Sequence, residues 1–317
     1  MLRVKPHLQQ HFDITPSTYT DDTIEMLTHE LTSSVQSREM SALIGPYGSG
    51  KSHIMSRVRA RLGDSVTWVD VRDMTPSSTS FNNVINAIVL DLSDEPLRPN
   101  NEARARQAER LLGRHHTKGK PACIVVDDAH RLTESSLSSF KRLMEAEFNG
   151  ESPLCSIVLV GWERLAGKLH RRKDIAWRTS DYRLSEQDGY MTFQKRVAFM
   201  ASVFDHAVAD ETREAIATLE DRPASMVQRT IKAMQRAYQA GYEVVDERVV
   251  DPSPAQLKEA LGVSYADISR AAEEAGQPIS KTTAHRRVND PKDDDETEAV
   301  NEALKRIRQK KAETVAA

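Results

Sequence analysis

Residues Met40 to Ser52 read MSALIGPYGSGKS, and no other stretch of the chain limits the fold as tightly. A short apolar run, Ala42 to Ile44, breaks into a glycine-rich turn, and a helical pattern begins at Lys51, so the segment reads as strand, loop, helix. Gly45, Gly48 and Gly50 let the backbone curl with its N–H groups turned inward, and the first turn of the next helix adds partial positive charge. Such a loop is an anion nest. Lys51 is spaced to reach the β- and γ-phosphates as a point charge, and Ser52 offers a hydroxyl to a magnesium ion bridging the same oxygens. The pattern points to a nucleoside triphosphate, with Gly45, Pro46, Tyr47, Gly48, Ser49, Gly50, Lys51, Ser52 and His53 as the contacting residues. A merely flexible turn would not require Lys and Ser at those two places.

A second run, Ala122 to Asp128, reads ACIVVDD and continues AHRL. Apolar residues ending in two carboxylates describe a buried parallel strand that delivers acids at its C-terminal edge. Beside a phosphate loop, Asp127 is the metal-side acid and Asp128 the candidate general base. Two solvated acids at a strand end are the alternative. Many such enzymes carry glutamate at the second place. Aspartate is one methylene shorter, so the attacking water is held less well and turnover is expected to be slow.

Around these runs the periodicity alternates. Thr20 is positioned to cap a helix carrying Ile24, Leu27, Leu31 and Val35, and Ile54, Val58 and Leu62 stripe the helix after the loop, stopped by Gly63. Strands are expected at Ser65–Val71, Ser156–Val160 and near Asp181–Leu184, and helices at Phe81–Leu92, at Glu102–Leu112 capped by Asn101, and at Glu134–Phe148. Strands alternating with helices imply a parallel sheet wrapped by helices, and the purely helical stretch Glu186–Gly241 implies a lid. Of 317 residues, 39% are hydrophobic and 29% charged, and the net charge of -3 gives no global pull toward nucleic acid, so any such contact must be local. The two cysteines, Cys123 and Cys155, lie in or beside apolar runs and read as core residues rather than a disulfide or metal pair. The N-terminus lacks an apolar leader and no run is long enough to cross a bilayer, so a reducing, cytoplasmic setting without membrane contact is expected.

The combination of GPYGSGKS, VVDDAHRL and SIVLVGWERL with a helical lid resembles the AAA+ ATPases over roughly residues 5 to 250. Within them it looks most like the transposition branch, the phage Mu B, TnsC and TniB proteins, and the related ExeA secretion ATPases. The resemblance implies ATP and Mg2+ as cofactors. It also implies a polar residue after the fourth strand that senses the γ-phosphate, but this chain has Trp162 there, whose indole cannot orient a water as an amide would. An arginine acting across a subunit boundary falls on Arg178, although an ordinary surface arginine has the same appearance. The lid arginine on the phosphates has Arg229 as its nearest counterpart.

Asp251 to Pro254 (DPSP) marks a boundary. This gives an α/β nucleotide domain at 1–185, a helical lid at 186–250, a small all-α module at 251–289, and at 290–317 an acidic, solvated linker, Asp290 to Glu298, followed by a terminal charged helix. The module reads as two helices around a turn, Tyr265–Ala275 and Ser280–Val288, with Ile268, Ala271, Ala272, Ala275, Ile279 and Val288 facing inward. Helix-turn-helix geometry would offer Lys281, Thr282, Thr283, His285, Arg286 and Arg287 to a groove, while a plain helical hairpin explains the same pattern. The stretch ISKTTAHRRVND is similar to the repressor-like module of the Mu B type, which there precedes the ATPase and here follows it. Arg57 and Arg61 share one helical face as further candidate phosphate contacts, and Arg104, Arg106, Arg110 and Arg114 lead into HHTKGK. Such runs are more often solvated helix faces than binding sites. The expected activity is ATP-dependent, weakly sequence-selective binding of double-stranded DNA by a self-assembled oligomer or filament that presents target DNA to a transposase. A replication or helicase-loading ATPase shares every feature except the partner, and a secretion or signalling switch would use the module to bind protein.

Overall fold

The computed structural model describes residues 4–14, 18–71, 80–246, 249–250, 258, 261–290 and 295–316. The expected DPSP boundary at Asp251–Pro254 and part of the acidic linker, 291–294, lie outside the described residues. The chain divides into two compact units, Met1–Ile231 and Lys232–Ala317.

The first unit is built on five strands: β1 (Met40–Ile44), β2 (Thr67–Val71), β3 (Ala122–Val126), β4 (Cys155–Gly161) and β5 (Thr179–Arg183). They pair in parallel in the order β2-β3-β4-β1-β5. β1, β3 and β4 are buried along their whole length, which is why their sequences are continuous apolar runs and do not alternate. The register sets Val71 beside Val126, Val126 beside Leu159 and Ile44 beside Gly161, so the C-terminal ends of four strands form one edge.

Helices α1 (Pro6–His11), α2 (Asp22–Gln36), α3 (Lys51–Leu62), α4 (Phe81–Leu92), α5 (Asn101–Thr117), α6 (Glu134–Met144), α7 (Glu163–Arg171) and α8 (Lys173–Ala176) accompany the sheet. Their apolar stripes pack on it: Ile88, Leu112, Leu137, Phe140 and Leu165 share one core with Ile124, Val126, Ile157 and Leu159. Cys123 and Cys155 are free and buried within this sheet, and burial pushes both thiols up to about 12, as suits inert core residues. The expected caps shift by one residue. Asp21, not Thr20, accepts the Ile24 N–H (2.8 Å), and Asn100, not Asn101, accepts the Ala103 N–H (2.8 Å). α6 stops at Met144, short of Phe148, because Phe148 leaves the helical path to exchange backbone bonds with Glu151 (3.1 Å each). Its ring then fills the space over Gly113, where a Cβ would fall 2.2 Å from it.

α9 (Phe193–Phe204), α10 (Asp210–Leu219) and the start of α11 (Pro223–Ala240) follow β5. The buried guanidinium of Arg196 ties the first two together, donating to the carbonyls of Ala217 (2.8 Å) and Met191 (2.9 Å) and pairing with Glu186 (3.2 Å). A buried charge is tolerated because it is fully used.

In the second unit, α12 (Tyr265–Glu274), α13 (Lys281–Asn289) and α14 (Asp295–Ala316) enclose Ile268, Ala272, Ala284, Val288, Val300 and Leu304. Ser264 and Asp267 form a reciprocal cap on α12, and Ser280 caps α13 through the Thr283 N–H (3.0 Å). Ala275 is only half-buried. The expected solvated linker to residue 298 is instead partly helical, since Asp295 to Glu298 form the first turn of α14, where carboxylates favour the helix dipole. Among the described residues no helix is long and apolar enough to cross a membrane.

Candidate nucleotide site

The phosphate loop leaves β1 at the C-terminal edge of the sheet and is fastened at its root. The Gly45 N–H donates to the Gly161 carbonyl (3.1 Å), and the Leu184 N–H donates to the Ile44 carbonyl (2.8 Å). Gly48 and Gly50 take φ of 76° and 97°, a region costly for any residue with a Cβ, and a Cβ on Gly48 would lie 2.7 Å from that of Ala224. The loop thus curls as its sequence implies, and α3 starts at Lys51. The Ser49 hydroxyl and Nε2 of half-buried His53 are enclosed without hydrogen-bond partners among the described residues, two polar groups suited to a ligand at this loop.

Lys51 is half-buried, and its ammonium donates to the carbonyls of Gly45 and Pro46 (2.8 Å each). Burial lowers its pKa, opposed by the carboxylates of Asp127 and Asp128, so the acids lie close enough to favour the cation. Tyr47 is exposed at the loop's tip.

Asp127 follows β3, and its N–H donates to the Val71 carbonyl (3.3 Å). One of its oxygens accepts the Asp128 N–H (2.9 Å), leaving the other side of the carboxylate open. Asp127 and Ser52 line one cleft of about 450 Å³ together with Arg59, Asp70 and Val160. A hydroxyl and a carboxylate are hard oxygen donors that match Mg2+, which keeps several waters and takes further ligands from phosphate. Among the described residues no cluster of three or more His, Cys, Asp or Glu could hold a metal. Asp128 adopts a left-handed φ of 50°, which aspartate tolerates, and its carboxylate is exposed.

Three contacts around the loop have no signal in the sequence. Buried Tyr190 donates its hydroxyl to the Ser49 carbonyl, and the Ala224 N–H at the start of α11 donates to the Gly48 carbonyl (3.2 Å). Trp162, where a polar sensor was expected, lies flat on His130 with ring centroids 4.7 Å apart and planes 9° apart. Of the side chains that make these contacts, His130 and Trp162 stood in motifs already singled out, while Tyr190 and Ala224 did not.

The other expected residues are dispersed. Arg178 precedes β5, whose Thr179 pairs with Met40, so it lies at the edge of the sheet opposite the loop. It pairs with Glu145 (2.9 Å) and stacks on Trp177 (4.4 Å). Arg229, on α11, donates to Glu220 (2.7 Å). Arg57 and Arg61 both close on Glu25 of α2. Arg104 donates to Asn86 (2.9 Å), Arg106 pairs with Glu102 (2.6 Å), and Arg110 and Arg114 pair with Glu95 (2.5 and 3.8 Å). On α13, Lys281, Thr282, His285 and Arg286 are exposed and Thr283 is half-buried. Arg287 does not face a groove as expected. It is 8% exposed, since Val288 and Ala284 turn that face inward, and its guanidinium grips Glu296 (2.7 and 2.9 Å), which also takes Arg286 (2.7 Å).

No curated protein matches the chain. Residues 33–169 match the AAA_22 family, described as AAA domain. Among solved structures, Cdc6p from Pyrobaculum aerophilum is similar with a TM-score of 0.59 at 15% identity, over 95% of this chain and 89% of that one. The Aeropyrum pernix ORC2 protein, solved as ADPNP-ADP complexes, is similar with a TM-score of 0.53 at 14% identity, over 89% of this chain and 83% of that one. At these identities the likeness is one of fold. The parallel sheet, the loop after β1 and the acids after β3 agree with it: the chain has the AAA+ P-loop NTPase fold, and the match to the AAA domain model falls on residues 33–169.

Proposed function

We propose that the protein is an ATP-dependent, largely non-sequence-specific DNA-binding ATPase that self-associates on DNA and delivers target DNA to a transposase. The observation that carries the ATP reading is the convergence of Lys51, Ser52 and Asp127 at one sheet edge beside the curled loop. The ADPNP-ADP complexes of the similarly folded ORC2 protein support adenine nucleotide in such a loop. In this reading the loop N–H groups and Lys51 bind the β- and γ-phosphates, while Ser52 and Asp127 hold Mg2+. The metal, when bound, neutralises charge developing on the phosphates. Asp128 orients and deprotonates the attacking water. Arg178, on the far edge of its own sheet, acts on a neighbouring subunit's phosphate, and Arg229 on its own.

The DNA and transposase parts rest on the likeness to the transposition branch and on the exposed Lys281, His285 and Arg286 of α13. Contacts of this kind go to phosphate, so binding is weakly selective and strongly salt-dependent. Lys51→Ala abolishes ATP-dependent retention of duplex DNA in a filter assay on this reading, and undiminished retention by that variant refutes it. One observation favours a second reading, a switch whose terminal module binds protein: Arg57, Arg61, Arg110, Arg286 and Arg287 are all paired within the chain. Stimulation of ATP turnover by DNA decides for the first.

A further inference from the structure

Asp128 is the candidate base, yet its exposed carboxylate accepts no hydrogen bond among the described residues. A carboxylate free to rotate orients a water poorly, and the short aspartate stem makes this worse. Beside it stands the imidazole of His130, whose Nδ1 lies 3.9 Å from Oδ1 of Asp128 and is buried without a hydrogen-bond partner among the described residues.

Everything around His130 holds it still. The Trp162 indole covers its face in a parallel stack. The Lys168 ammonium donates to the carbonyls of His130 and Leu132 (2.6 Å each) and so fixes the turn that carries the ring. Gly161 lets that turn approach the end of β4, since a Cβ there would stand 3.2 Å from the His130 nitrogen. Burial also lowers the pKa of His130, against the opposing pull of Asp128, which keeps the ring neutral, with one N–H to give.

We infer that His130 is a positioning residue for Asp128, with Trp162 acting as the flat support that sets the plane of its ring. The inference deepens the hydrolysis reading above and rests on it. A small rotation of the exposed Asp128 side chain brings Oδ1 within hydrogen-bond range of Nδ1, and the second oxygen is then fixed toward the water. The tryptophan in the sensor place does not replace the missing amide by itself; it holds the imidazole that does.

The test compares turnover and nucleotide affinity in the full chain. His130→Ala and Trp162→Ala lower kcat about 10- to 100-fold while affinity for a non-hydrolysable ATP analogue stays within about twofold. His130→Asn, whose amide N–H stands where Nδ1 stood, restores most of the rate, and Trp162→Phe, which keeps a flat ring, loses little. Should the alanine variants melt early, His130→Leu against His130→Asn carries the same comparison at matched size. Native turnover in His130→Ala, or a His130→Asn variant no faster than His130→Leu, overturns the inference and leaves the hydrolysis reading standing. A native chain inert with and without DNA brings down both, and is recognised because no substitution is then involved.

Discussion

Tyr190→Phe is the most direct probe of how the loop is held. The ring is 4% exposed and the substitution removes a single oxygen, so no cavity opens. What is lost is the bond from the hydroxyl to the Ser49 carbonyl. Burial raises the pKa of Tyr190, so the hydroxyl stays protonated and donating at any working pH. Leaving a buried carbonyl without its donor costs about 1–3 kcal/mol. In a domain of this size each kcal/mol moves the melting temperature by about 2–4 °C, which gives a drop of about 2–12 °C. Ser49 precedes Gly50, the cap residue just before α3, so the same energy reaches the ligand if the loop must be re-ordered to bind it. It then appears as a loss of about 5- to 150-fold in affinity. Thermal melts with and without ADP, and calorimetric titration with a non-hydrolysable ATP analogue, measure the two effects. A melting temperature and an affinity both equal to the native values would show that Tyr190 does not hold the loop, and the account of the loop's shape would fail with it.

Other consequences are as open to measurement. His53 has its pKa lowered by burial, opposed by a hydrogen bond with the Tyr19 backbone, so below its ordinary value of 6.5 the unfolded chain binds the proton more readily than the folded one. Stability is therefore whole above about pH 6.5 and is lost as pH falls through the folded value, and His53→Gln flattens that acid limb in melts taken between about pH 7 and 5. Glu296→Ala removes the carboxylate that takes two hydrogen bonds from the buried Arg287 guanidinium and destabilises the second unit by about 1–3 kcal/mol, while Arg287→Met, which removes the charge itself, is milder. Amide hydrogen exchange in α12 and α13 reads the difference. If α13 grips duplex phosphate, Lys281→Ala with Arg286→Ala lowers the salt slope of DNA retention by about one to two, and an unchanged slope assigns the helix another partner.

How much of this was legible in the sequence follows from the range of each interaction. The loop, the acids after β3 and helix Phe81–Leu92 rest on local patterns, and those patterns held. The caps at Asp21 and Asn100 slipped by one residue because Thr20 and Asn101 beside them are also capping types, and only backbone angles separate neighbours of the same chemistry. The acidic stretch before Glu298 reads as solvated if its charges are counted alone. Ala299, Val300, Ala303 and Leu304, all buried, show that it opens a packed helix. Phe148 fits a helical period, yet its antiparallel exchange with Glu151 and the bare face of Gly113 outweigh one more helical turn. Tyr190 reaches Ser49 across 141 residues of chain, a partnership that no window of sequence contains.

Those long-range contacts set a condition on how the site works. The carbonyls of Ser49 and Gly48 are held by Tyr190 and by the Ala224 N–H, one from the segment before α9 and one from the start of α11. Lys51 gives two of its three donors to Gly45 and Pro46, so a phosphate entering the loop competes for the same ammonium. Any movement of the loop to follow that ammonium is felt at Tyr190 and Ala224. If the loop takes nucleotide as proposed, its binding is linked to the placement of the segment before α9 and the start of α11, and linkage is reciprocal: whatever factor a substitution there applies to nucleotide affinity, nucleotide must apply to the stability cost of that substitution. Ala224→Gly tests this away from the phosphates, since it keeps the N–H bond to Gly48 and removes only the Cβ that crowds it. An affinity change in that variant, matched by an equal difference between native chain and variant in the protection nucleotide gives α11, would establish the link. Affinity and nucleotide-induced protection both equal to the native values in Ala224→Gly would rule out this route.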